Sequence, residues 1–202
     1  MSPEAIWECA CKTWSVGSSE LERLSSSIDK ESFVHLVETI GNTRGRIAVA
    51  GVGTSGAAAK KIAHSLSCIE RPSFFLSPCD AVHGGLGLVQ PGDLAILISK
   101  GGGTREITSL IPSLKKKGVL IVAVTENENS ALAVAADLLI KVRIEREADE
   151  FNMLATTSTM AVTSVFDAAC IALMAYTKYS RAQFAVIHPS GAVGERLLSG
   201  RE

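Results

Sequence analysis

The chain has 202 residues, 47% of them hydrophobic and 20% charged, which excludes a disordered segment and suits one α/β domain with a proper core. A net charge of −1 supplies no overall field for nucleic acid or an anionic membrane. The five cysteines (Cys9, Cys11, Cys68, Cys79 and Cys170) are scattered with no C-x-x-C pair, which favours reduced thiols in a cytoplasmic protein over a disulfide scaffold or a metal site.

The N-terminus, "MSPEAIWECACKTW", carries Glu4 and Glu8 and lacks the basic-then-apolar pattern of a secretory signal. Residues 4–42 read as helical. Leu21, Leu24 and Ile28 share one face, and Phe33, Leu36, Val37 and Ile40 repeat the pattern up to the stop at Gly41-Asn42. Strands are expected at 47–51, 73–77, 94–99, 120–125 and 137–142, with helices at 55–69, 104–117 and 130–136 between them. A long helix over about 153–178 and another over about 191–198 close the chain. The segment "MAVTSVFDAACIALMAYTKY" is interrupted by Asp167 and several hydroxyls, so it reads as a core helix and not a membrane span. The strands are near-continuous apolar runs, as expected where helices cover both faces of a sheet. Their alternation with helices predicts a doubly wound, five-stranded parallel sheet of flavodoxin-like α/β class. It would occupy residues 45–202 of a single domain, after an N-terminal helical extension over 1–44.

Four polar segments punctuate this pattern. "VAGVGTSG" (49–56) fits the dinucleotide spacing G-x-G-x-x-G through Gly51, Gly53 and Gly56. A nicotinamide cofactor also needs an acidic residue at the end of the next strand. That strand ends at Ser77, Asp80 comes three residues later with the look of a helix N-cap, and Glu70 lies at the wrong end, so the cofactor reading loses ground. "SKGGGTRE" (99–106) is a stronger small-phosphate cradle. Gly101, Gly102 and Gly103 let the backbone approach an anion, and Ser99 and Thr104 supply hydroxyls at a helix start. "EREADEFNMLATTSTMA" opens a second hydroxyl-rich helix after an acidic run. In "HPSGAVGERLL", His188 sits in a loop setting compatible with catalysis.

Together these segments resemble the sugar isomerase (SIS) domain family, and within it the arabinose-5-phosphate isomerases. The resemblance runs in order from about residue 45 to 198 through "GVGTSGAAAKKIAHSL", "PCDAVHGGLGLVQPGDLAILISKGG", "TREITSLIP", "LATTSTMAVTSVFDA" and "FAVIHPSGAVGERLL". It implies a cofactor-free aldose–ketose isomerisation of a sugar phosphate in a homotetramer with sites shared between subunits. Neither nucleic acid nor membrane is an expected partner. By position in the family's motifs, Glu106, Glu147, His188 and His83 are the catalytic candidates, with Glu147 and His188 favoured for moving protons. Gly53, Thr54, Ser55, Ser99, Gly101, Gly102, Gly103, Thr104, Thr157 and Ser158 are the expected substrate-binding positions.

Three departures stand out. Thr54 occupies a loop position where the isomerases usually carry lysine, and losing one such electrostatic donor costs about 2–4 kcal/mol of transition-state stabilisation. Lys60, Lys61 and Lys100 are possible substitutes, the first two being expected to face solvent. Ser77 stands where the family has histidine, which weakens a metal reading there. The chain ends at Glu202 without the regulatory CBS modules of typical members, and so is expected to be a SIS domain alone. The resemblance favours an isomerase of arabinose 5-phosphate. A sensor module that binds a sugar phosphate without turning it over, and an isomerase of another sugar phosphate, remain alternatives.

Overall fold

The computed structural model describes residues 1–189. Helix α1 (Pro3–Ser27) starts where the Ser2 side chain accepts the Ala5 N–H, and it ends in extended backbone at Ile28. Helix α2 (Lys30–Asn42) starts at once, because Asp29 accepts the Ser32 N–H. The single helical stretch expected over 4–42 is therefore two helices, divided by a side-chain cap.

Strand β1 (Ile47–Gly51) leads to α3 (Gly53–Ser67), and β2 (Ser73–Phe75) to α4 (Pro78–Ala81) and a 3-10 turn over Gly85–Leu88. Strand β3 (Leu94–Ile98) is followed by α5 (Arg105–Thr108) and α6 (Ile111–Lys116), and β4 (Leu120–Thr125) by α7 (Ala131–Ala135). Strand β5 (Leu138–Lys141), α8 (Thr157–Tyr176) and α9 (Arg181–Ile187) complete the described residues. The five strands are parallel in the order β2-β1-β3-β4-β5, the doubly wound sheet expected from the alternation.

Three local expectations change. The helix expected over 104–117 is two short helices, α5 and α6. Pro112 lies in the first turn of α6, and without an N–H it cannot continue a hydrogen-bond ladder from α5. The cap of α4 is Ser77, which accepts the Asp80 N–H, so Asp80 is not the cap. Helix α9 was not anticipated, although Ser180 and Gln183 form a reciprocal capping box that the sequence spells out. The helix expected over 191–198 lies outside the described residues.

Each face of the sheet buries its own core. Helices α2, α3 and α8 place Leu36, Ile40, Ile62, Leu66, Phe166 and Leu173 over Val49, Ile96, Val122 and Ile140. On the other face Ile107, Leu110, Leu114 and Leu132 cover Ala48, Ala50, Leu97 and Ala123. Helix α8 is long and apolar enough to cross a membrane, with mean hydropathy 1.6, but here it packs against α1, α2 and α3. From β1 the chain steps to β2 and from β3 it steps the opposite way to β4, so right-handed crossovers put α3 on one face and α5 and α6 on the other. A crevice therefore opens between the C-terminal ends of β1 and β3, where open α/β sheets bind ligands.

The first turn into this crevice depends on Gly51, where an added Cβ would lie 2.4 Å from the Ser55 carbonyl oxygen. Gly51→Ala is expected to cost about 1–3 kcal/mol by forcing β1 and α3 apart. Urea unfolding with a lowered midpoint and unchanged slope would confirm it, and an unshifted midpoint would refute it.

Candidate active site

Three turns meet at the crevice. Helix α3 begins at Val52 with no side-chain cap, and the N–H groups of Thr54 and Ser55 have no acceptor among the described residues. The loop from Ser99 to Thr104 follows β3, and the loop from β5 to α8 carries Glu147.

The loop after β3 is self-braced. The Gly102 N–H is taken by the Ser99 carbonyl at 3.0 Å and the Ser99 hydroxyl at 3.1 Å. The Ser99 and Thr104 hydroxyls are 2.8 Å apart. Gly102 sits at φ +69°, where an added Cβ would be 2.0 Å from the Ser130 hydroxyl, so only glycine fits under α7. Thr125 and Glu126 pin the loop's start, donating to the Lys100 carbonyl at 2.7 and 3.0 Å. Ser99 and Gly102, both expected to bind substrate, thus spend their polar groups inside the loop. Gly101 and Gly103 face open space.

Glu147 is the centre of the third turn. Its side chain is buried, and the residue is 0% exposed. One carboxylate oxygen, Oε1, accepts Lys100 Nζ at 2.8 Å and the Ser158 hydroxyl. The other, Oε2, accepts the backbone N–H groups of Thr156 and Ser158 at 3.0 and 3.1 Å, and the Thr156 hydroxyl at 3.4 Å. The carboxylate thereby occupies the start of α8 as a built-in anion. Burial alone would raise its pKa. The hydrogen bonds from Lys100, Ser158 and Thr156 outweigh that effect and hold it at about 2. A carboxylate this acidic and this saturated has little capacity to take a proton near neutral pH. Asn152, at φ 58°, fixes the turn by accepting the Glu147 N–H at 2.6 Å.

A cavity of about 60 Å³ lies between these turns, bordered by Thr54, Ser55, Lys100, Thr125, Ser158 and Thr159. It is too small to enclose a whole sugar phosphate, since ligand pockets run from about 300 Å³ upward, so it takes at most one end of such a ligand. Across the β3 loop, an open cleft of about 520 Å³ separates α4 from α5 and contains Glu106 and Arg105. The Glu106 carboxylate accepts no hydrogen bond within the described residues, and His83 stands exposed two residues beyond α4.

The remaining expected residues separate. Gly53 (φ +58°) and Thr54 are exposed at the start of α3, and Ser55 is half-buried. Thr157 is buried with its hydroxyl unpartnered, so it is not presented to a ligand in the crevice. His188 lies elsewhere. Its ring stacks on Phe184, which packs on Tyr179, whose hydroxyl reaches the Cys68 carbonyl beyond the far end of α3. One helix length, roughly 20 Å, separates that end from the crevice. Lys60 and Lys61 are exposed as expected, Lys61 pairing with Asp167, whereas Lys100 borders the cavity. The sequence pattern gives no sign of the roles of Thr125 and Asn152, and it marks Thr156 only as one of the hydroxyls that open α8.

Residues 40–172 match the SIS domain family. The chain belongs to it. Arabinose 5-phosphate isomerase KpsF of Escherichia coli O6:H1 is 40% identical over 182 residues, covering 90% of this chain and 56% of that protein. Arabinose 5-phosphate isomerase GutQ of Escherichia coli K12 is 34% identical over 196 residues, covering 97% and 61%. This SIS chain thus spans little more than half the length of those curated relatives. A crystal structure from Listeria monocytogenes, provisionally described as a sugar-phosphate isomerase, superposes with a TM-score of 0.93 at 49% identity, over 94% of this chain and all of that one. A protein of E. coli CFT073 in complex with A5P superposes with a TM-score of 0.90 at 33% identity, with the same coverage.

The Glu147 pKa carries a sign for stability. A carboxylate whose folded pKa lies near 2 against an ordinary 4.5 contributes fully above pH 4.5 and loses its contribution as pH falls toward 2. Urea unfolding across that window should show wild type losing up to about 3 kcal/mol more than Glu147→Gln. Parallel pH profiles would contradict the bonding described.

Proposed function

We propose that this SIS protein interconverts a phosphorylated aldose and its ketose, with arabinose 5-phosphate and ribulose 5-phosphate as the pair. The observation that carries this reading is the crevice itself. Two glycine turns, an uncapped helix start and a lysine converge at the switch point of a fold whose relative holds A5P. The named activities of KpsF and GutQ support the same reaction.

In this reaction the sugar ring opens and a base removes the C2 proton to form an enediol. A proton returns at C1 while another moves between the two oxygens. Glu106, exposed in the cleft and free of internal hydrogen bonds, is suited to accept and return the carbon-bound proton. His83, near the same cleft, suits ring opening or binding of the sugar. Glu147 suits a structural charge better than a base, because its lone pairs are already engaged.

His188 fits the chemistry only as a residue donated to a neighbouring copy's site, since its own crevice is a helix length away. This supports a homotetramer with shared sites. Exposed Trp7, Trp14, Phe151, Met153 and Leu154 are apolar surface of the kind such contacts cover. The five free cysteines agree with a cytoplasmic setting. A second reading, a sensor that binds without turnover, is favoured by one feature: Thr54 is neutral where the isomerases carry lysine.

Incubation with arabinose 5-phosphate in D₂O should place deuterium on the carbon beside the carbonyl. Glu106→Gln should slow this exchange by about 10²–10⁴-fold with binding retained. Binding without exchange in the wild type, across a panel of aldose and ketose phosphates, would establish the sensor instead. Light scattering on the purified protein should give a mass near four chains, and a clean monomer would rule out a shared site.

A further inference from the structure

The loop that carries Thr54 has no charge to offer an anion, yet the cavity it borders does. Among the described residues lining that cavity, Lys100 is the one charged side chain. It belongs to the neighbouring turn, after β3, and enters the cavity from across the switch point.

Two constraints hold it there. Its carbonyl is fixed by Thr125 and Glu126, so the residue cannot drift with its glycine-rich loop. Its ammonium is held 2.8 Å from Glu147 Oε1. The pair is lopsided, with the Lys100 side chain 42% exposed and that of Glu147 1% exposed. An ammonium has three N–H donors, and Glu147 uses one, leaving the others for a group arriving from the open side. Glu147 does not simply cancel the lysine, because the same carboxylate also neutralises the start of α8 through two backbone N–H groups. The turn therefore presents a preorganised cation beside the uncapped N–H groups of Thr54 and Ser55.

We infer that Lys100 is the phosphate-binding cation of this site, moved from the first loop to the β3 loop, and that Glu147 is its positioning residue. The inference rests on the sugar-phosphate reading given above. It accounts for Thr54 without loss of the site's charge. It also predicts that the two positions are interchangeable, because an ammonium from either loop enters the same cavity.

The test measures binding of inorganic phosphate and of arabinose 5-phosphate by calorimetry, with KM and kcat for isomerisation of the latter. Removing Lys100 alone would strand a buried carboxylate and could unfold the protein. The main variant is therefore Lys100→Met combined with Glu147→Gln, checked by circular dichroism. It should weaken binding of both ligands and raise KM by about 10- to 100-fold, the range for one charge-assisted hydrogen bond. Adding Thr54→Lys to this pair should restore at least about tenfold of the loss, which a merely structural role for Lys100 would not allow. Lys100→Arg should bind within a few-fold of wild type, because it keeps the charge and the Glu147 contact. Glu147→Gln alone should raise KM while changing kcat less, as expected of a residue that aims a binding group.

The inference is overturned if the folded double variant binds both ligands as wild type does, or if Thr54→Lys restores nothing. Wild type binding neither ligand would overturn it too. Phosphate binding that depends on Lys100 without turnover of any sugar phosphate would leave Lys100 assigned and defeat the isomerase reading. Turnover that is indifferent to Lys100 would do the reverse.

Discussion

The site is organised by one buried carboxylate. Glu147 could not be carried into the interior as a charge without compensation, because removing an ion from water costs far more than a single contact returns. Compensation comes from two directions at once. The backbone N–H groups at the start of α8 provide donors and a positive dipole end, and Lys100 provides a full opposite charge. The position of α8, the path of the β5–α8 loop and the direction of Lys100 are coupled through these bonds. Asn152 and Thr156 keep the loop closed around them.

The fold makes this coupling possible through strand order. With β1 next to β3 and their helices on opposite faces, the turns after both strands lie side by side at the C-terminal ends of the strands. The small residues Ala48, Ala50, Ala95 and Ala123 on one face and the larger ones on the other set how closely each helical layer approaches. Glu106 and Glu147 end up on opposite sides of the β3 loop. One sits in the open α4–α5 cleft and the other beneath the lysine. Two carboxylates in one crevice thereby acquire different chemistry: Glu106 is exposed and uncommitted, Glu147 buried and saturated.

Much of this architecture was legible in the residues. The five apolar runs became the five strands, shortened by up to two residues at their ends, and the hydroxyl-rich run does open the long helix α8. The errors have local causes. A cap at Asp29 divided one helix, Pro112 divided another, and the Ser180–Gln183 box built a helix where only a connection was expected. Within the site, a hydroxyl and a glycine beside a helix start suit an anion, and the structure adds that Ser99 also bonds to Thr104 and Gly102 inside the loop.

The sequence by itself determined the sheet, the two glycine turns and the helix starts, because these depend on backbone preferences and on apolar periodicity over a few neighbouring residues. It also marked Thr54 as neutral at a position where the family resemblance implies a lysine. Only the tertiary structure decided which cation borders the cavity beside Thr54. Lys100 and Glu147 are 47 positions apart, and nothing local to either one specifies the other. The separation of His188 from the crevice was settled in the same way, by how α9 packs beyond the end of α3. Charge pairing and desolvation depend on distance through space and on burial. Both quantities come into being only when the sheet has brought its turns together.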